Sequence, residues 1–259
     1  TVLSGLSSPI AFPKQSAAMS AAWMGENPAS PVSESDIALG MALLAPKTLQ
    51  AATSYSRQLL IQQSLDTEAM VTNEIAQVHA IAIDKAALHG LSAAGEPTGI
   101  YKAADVAAKA FGGVASYALA IDMQGAVALS NAISGTLGYI AHPTMATNLR
   151  KLLDFSAAAA GKAVWTGTYE DGEIGGYPAT ATNQVSNTMT GSEATGGAEI
   201  GFIFGNWADL IVGSFGALEL VVDPYTSKKK GLIEVASFQM CDVLVRRGQS
   251  FCKSTGATG

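Results

Sequence analysis

The chain has 259 residues, 48% of them hydrophobic, enough to bury a substantial core in one large or two modest domains. Only 14% are charged, against about 25% in an average globular domain, so much of the surface is either poor in charge or covered by something else. The net charge of −6 excludes a general electrostatic footprint for nucleic acid, and two cysteines exclude a disulfide framework.

Residues 1–22 carry Pro9 and Pro13 and no helical period, and read as an extended arm with little to pack against. From Ile37 the odd positions run Ile37, Leu39, Met41, Leu43, Ala45, Leu49, Ala51, Thr53 and Tyr55, with small or polar residues between them. That period of two predicts a strand with one apolar face. Pro46 marks an edge position or a bulge partway, and two strands bent at Pro46 are the alternative. A single strand of roughly 20 residues would reach about 65 Å, beyond the diameter of a compact chain, near 47 Å. Its antiparallel partner is expected at Ala21–Glu26, with residues 27–35 as the turn. A two-stranded ribbon of this kind is marginal alone, so its apolar face asks for a neighbouring subunit.

A helix is predicted from Asp66 to His89, capped by Asp66 or Ser64, with a stripe of Val71, Ile75, Val78 and Ala82 widened by Ile81 and Leu88. Gly90 is its expected C′ residue. Two helices are expected over Ala103–Phe111 and Ser116–Ile133, a strand over Leu137–Ala141, and a short helix capped by Thr144 that carries Leu149, Leu152 and Leu153. Residues 156–199, rich in small residues, predict short strands and loops. Strands are expected at Ala198–Phe204, Leu210–Val212, Ala217–Asp223 and Leu232–Arg246.

No constellation for catalysis is legible. A nucleophile elbow, a dinucleotide fingerprint and a phosphate loop are all missing. His79, His89 and His142 lack metal-ligand spacing, and the acidic trio Glu170, Asp171 and Glu173 lacks a calcium-loop pattern. No catalytic residue, metal or cofactor is therefore expected. Cys241 and Cys252 read as reduced structural thiols. No stretch of about 20 mainly apolar residues offers a membrane span, and the first residues lack the basic segment of a signal peptide.

Several segments, in order and over nearly the whole chain, resemble the major capsid proteins of tailed bacteriophages, the Hong Kong 97-type family. They include VLSGL, FPKQ, AAWMGE, LAPKTLQAATSYSRQLL, LHG with GEPTGI, HPTMATNLRKLLD, GYPATATNQV, FGNWADLIVGSFGALELVVDPYT and FQMCDVLVRRGQSF. The resemblance implies an α+β fold with an N-terminal arm (1–22) and an extended β-hairpin loop (23–58). The peripheral domain would hold a spine helix (59–104), the axial domain would follow (105–215), and peripheral strands with a C-terminal tail would close the chain (216–259). It implies a structural subunit rather than an enzyme, forming pentamers and hexamers of an icosahedral virion shell around double-stranded DNA, without sequence-specific binding. Assembly in the host bacterial cytoplasm, removal of an N-terminal segment by a maturation protease (in keeping with a first residue of Thr), and a portal and a decoration or cement protein as partners are further implications. An encapsulin-type compartment is the alternative on the same fold, and a secreted hydrolase is the alternative from another class. Subunit contacts are expected at Ile37, Leu39, Met41 and Leu43, and at Arg57, Lys228, Lys229 and Lys230 against Glu26, Glu34 or Asp36. The family's founding member welds subunits through a lysine, an asparagine and a glutamate. The corresponding positions fall on Met41, near Gly231 and near Phe238, so no self-catalysed cross-link is expected.

Overall fold

A computed structural model describes residues 1–17, 19, 21, 23–24, 26, 36–62, 67–93, 95–154, 161–189 and 199–258, and among them three β-sheets and four α-helices are formed. The strands are β1 (Val2–Leu3), β2 (Ile10–Ala17), β3 (Ala38–Leu44), β4 (Lys47–Ser56), β5 (Ala107–Val114), β6 (Leu137–Ala141) and β7 (Thr166–Gly167). They continue with β8 (Gly172–Ile174), β9 (Tyr177–Ala181), β10 (Phe202–Asn206), β11 (Leu210–Asp223), β12 (Leu232–Val245) and β13 (Phe251–Thr258). The helices are α1 (Arg57–Gln62), α2 (Thr67–His89), α3 (Tyr117–Leu129) and α4 (Pro143–Lys151).

The largest sheet has the order β5-β13-β10-β6-β9-β8-β7. Within it β10, between β13 and β6, is buried at every position, as a strand covered on both faces should be. Tyr139 stacks on Phe202 at 5.1 Å, and its hydroxyl donates to the Ala120 carbonyl, which ties α3 to the sheet. Ala120, Met123 and Val127 form the buried stripe of α3, whose N-terminus is capped by Ser116.

Two expectations fail in this sheet. Ala103–Phe111 is not a helix: residues 107–114 form β5, which pairs in parallel with β13. Alanine-rich composition favours helix locally, but a parallel partner and the positive φ of Gly112 and Gly113 override it. Residues 251–258, expected as a tail of the last segment, are instead the strand β13, lodged between β5 and β10. In α4 the cap is His142, whose ring accepts from the Thr144 amide, and Leu152 and Leu153 lie beyond the helix.

The second sheet, β1-β11-β12-β4, is built on two 14-residue strands of about 46 Å each. The two segments expected at Leu210–Val212 and Ala217–Asp223 are one strand, with a register shift between Phe215 and Glu219 where Gly216 takes a positive φ. The first residues do find packing in their own chain. Val2 and Leu3 pair with Val212 and Gly213, and the Leu6 amide donates to Ser214.

Helix α2 lies across β4 and β12. Ile75 and His79 are buried there and His79 approaches Ser237, while Val78 and Ile81, expected in the stripe, face outward. Ile75 and Leu88 of the expected stripe are buried and Val71 and Ala82 half-buried, while His79 takes the place expected of Val78. The proposed caps Ser64 and Asp66 lie outside the described residues.

Asp209 joins the two sheets. Its buried carboxylate receives Arg246 at 2.7 Å and the Ser250 hydroxyl at 2.5 Å, while its carbonyl accepts from the Arg246 amide.

Gly90 follows α2, but its φ lies outside the left-handed region. It is needed for close approach: the Gly99 amide donates to the Gly90 carbonyl at 2.9 Å. A Cβ on Gly99 would sit 2.7 Å from the His89 nitrogen and nearer still to that of Gly90. Gly99→Ala should therefore cost about 3 kcal/mol in a denaturant titration, at the top of overpacking penalties. Gly95→Ala, with open space around it and φ +85, should cost about 1 kcal/mol.

Candidate subunit interface

The expected long strand is two strands in two sheets. β3 pairs antiparallel with β2, and β4 pairs with β12. The break falls at Ala45–Pro46, since proline has no amide to continue a ladder and holds the residue before it extended. The partner of β3 is β2 at Ile10–Ala17, not Ala21–Glu26, and the expected turn at 27–35 lies outside the described residues.

Registers of Ala11 with Leu43 and Pro13 with Met41 place these residues on one face of the ribbon. That face is open: Ile37 is 49% exposed, Leu39 73%, Met41 85% and Leu43 59%, whereas Leu44 is fully buried. Large apolar side chains on one side of a two-stranded ribbon form the kind of patch that marks a partner surface.

The ribbon meets the body at a tight corner. Leu44 fills the space left by the missing side chain of Gly213; a Cβ there would run into the Leu44 Cδ2. Asp242, buried in β12, accepts the Ala45 amide through Oδ2 at 2.9 Å. Its Oδ1 accepts the Val243 amide at 2.9 Å and faces Lys47 Nζ at 3.2 Å. Lys47 also donates to the Glu96 carbonyl. On the buried-side register of the ribbon, Lys14 pairs with Asp105 at 3.4 Å. Sequence reasoning passed over Asp242, although a single carboxylate inside the apolar run FQMCDVLV is the signal that marks it.

The charged residues proposed for contacts sit elsewhere. Arg57 is exposed and donates to the Pro224 carbonyl of its own chain, and its amide donates to Gly231. Lys228, Lys229 and Lys230 form one exposed 3-10 turn beside that arginine. They and Arg57 thus make a basic tip at the far end of β11 and β12. Glu26 and Asp36 are exposed, and Glu34 lies outside the described residues. Met41, Gly231 and Phe238 do not meet within one chain: Met41 pairs with β2, Phe238 lies between β11 and β4, and Gly231 caps the basic turn with φ 69.

The histidines are structural. His89 stacks on Tyr101 at 4.7 Å and accepts the Ser186 amide at Nε2. Burial, reinforced by nearby Lys85, holds its pKa down at about 4. Cys241 and Cys252 are free and buried, and burial pushes the Cys252 thiol up to about 12. Among the described residues no group of three or more His, Cys, Asp or Glu is placed to hold a metal, and no helix is long and apolar enough to cross a membrane. A cavity of about 490 Å³ lies between α2 and the foot of β4, lined by Leu49, Ile83, His89, Pro97 and Cys241.

The model of the phage capsid family matches residues 1–256. The chain is 30% identical over 251 residues to a major capsid protein of Halomonas phage phiHAP-1, covering 97% of this chain but only 38% of that relative. In fold it is similar to the capsid of a native GTA particle (TM-score 0.72, 16% identity, covering 100% of this chain and 88% of that one). It is likewise similar to a chain of Gordonia phage Cozz (TM-score 0.68, 15% identity, covering 99% and 85%). The α+β architecture expected from the sequence is thus that of Hong Kong 97-type capsid subunits.

His89 also sets a pH dependence. Its folded pKa of about 4 lies below the ordinary 6.5, so the unfolded chain binds the extra proton first as pH falls. Stability from this group is full above pH 6.5 and is lost on acidification through 6.5 towards 4. Urea titrations at pH 7 and 4.5 should differ by about 2–3 kcal/mol more in the wild type than in His89→Gln.

Proposed function

This chain belongs to the phage capsid family, and we propose that it is the shell-building subunit, joining copies of itself into the virion capsid. The observation that carries this is the open apolar face of β3: among the described residues, Leu39, Met41 and Leu43, with Ile37 just before the strand, are large apolar side chains left exposed. Covering four such side chains is worth about 1.5–3 kcal/mol each before the entropy of association, and repetition of weak contacts around a closed shell multiplies them.

Residues 1–22 act as an arm, 23–58 as the loop reaching an adjacent copy, 59–104 and 216–259 as the peripheral domain, and 105–215 as the axial domain. The pairing of β13 with β5 supports moving the last strand, 251–258, to the axial domain. Copies close as pentamers and hexamers around double-stranded DNA, which a chain of net charge −6 does not hold by bulk attraction. The basic tip at Arg57 and Lys228–Lys230 meets carboxylates such as Glu26 and Asp36 of a neighbour and sets register more than affinity. Portal, decoration protein and a maturation protease that removes a leading segment are partners in this reading. Assembly takes place in the host cytoplasm and the finished subunit resides in the virion.

Negative-stain microscopy of the purified chain should show closed particles. Leu39→Glu or Met41→Glu should abolish them and change subunit stability by less than about 0.5 kcal/mol, as for other exposed positions. Boiled particles should run as monomer in reducing SDS gels, because Met41 has no amine to join to a neighbour; a ladder would contradict that part of the reading.

A further inference from the structure

We infer that Asp242 is a positioning residue for assembly: its buried carboxylate fixes the direction in which the β2–β3 ribbon leaves the body. This rests on the reading of the ribbon as the intersubunit contact.

The ribbon is linked to the body through β3 at one crossing, Ala45–Pro46. Leu44, seated at Gly213, fixes where the ribbon starts, but one buried side chain leaves rotation about that point free. Pro46 holds its own φ near −65° and keeps Ala45 extended. What then orients the Ala45 peptide is its amide, and that amide donates to Asp242 Oδ2 at 2.9 Å. The carboxylate cannot turn away, because Oδ1 is held by the Val243 amide at 2.9 Å and by Lys47 Nζ at 3.2 Å. Lys47 is the first residue of β4, so the same carboxylate binds both sides of the corner, Ala45 before Pro46 and Lys47 after it.

The other ties are weaker. Lys14 and Asp105 form an exposed pair at 3.4 Å, a class that contributes little. On the β2 side, Gly5 has a positive φ, and the Leu6 amide donates to the Ser214 carbonyl at 3.1 Å. A small change of angle at the corner is amplified along the seven residues of β3, so the apolar face would reach a neighbour at the wrong height. Shell geometry, more than subunit stability, depends on this carboxylate.

The test compares the full-length wild type with Asp242→Asn and Lys47→Met. Asparagine keeps one acceptor but turns an N–H towards a backbone donor and removes the charge facing Lys47. Amide exchange at Ala45 in unassembled subunits should rise at least tenfold in Asp242→Asn. Its particles should be fewer or spread in diameter under conditions where the wild type is uniform. A role confined to stability would lower the unfolding midpoint and leave diameters unchanged, and particles of wild-type diameter in Asp242→Asn overturn the inference. If that variant does not fold, Lys47→Met decides: exchange at least threefold faster with broadened diameters supports the inference, and unchanged diameters overturn it. A wild-type chain that forms no particles contradicts the shell reading instead. The exchange measurement then still stands, and an unchanged rate at Ala45 in Asp242→Asn overturns the inference.

Discussion

A buried carboxylate without full pairing is expensive, and Asp242 avoids that expense only where Ala45, Val243 and Lys47 stand. This constraint organises the rest of the molecule. It holds the β3–β4 corner against β12, where Leu44 sits at Gly213, while the opposite face of β3 is exposed among the described residues. The body solves its own packing, and the ribbon is the part left unsolved.

The same device recurs at the other joint. Asp209 collects Arg246 and Ser250 where β11, β12 and β13 converge, so a buried carboxylate also holds the two sheets together. Between these joints the sheets are ordinary solids: an aromatic stack around Tyr139, Phe202 and Phe204 in one, and two long paired strands under α2 in the other. Side-chain packing gives rigidity within each sheet. Hydrogen bonds to two aspartates give direction between the parts. A shell subunit needs both, because contacts that close a shell tolerate little error in angle.

Much of this was legible in residue pattern. The alternation from Ile37 to Leu43 marks the open face, and the same face is exposed in the folded chain. Leu137–Ala141 has the length and apolar content of a strand and is one. What escaped has physical reasons. Alanine-rich β5 reads as helix because its strand state depends on β13, some 145 residues away, and local propensity carries no such information. β13 itself (FCKSTGAT) has little apolar content and is strand by virtue of its two neighbours. The outward turn of Val78 and Ile81 in α2 was not legible because His79, polar by type, is buried on the core side. Pro46 was seen as a break, but the partner that makes it a corner, Asp242, is nearly 200 residues later.

We propose that the apolar face of β3 is completed by a second copy of the chain. A cryo-electron microscopy reconstruction of assembled particles tests it most directly. Leu39, Met41 and Leu43 should be buried against a neighbouring subunit in every class of position in the shell. Particles in which these side chains remain facing solvent would contradict it.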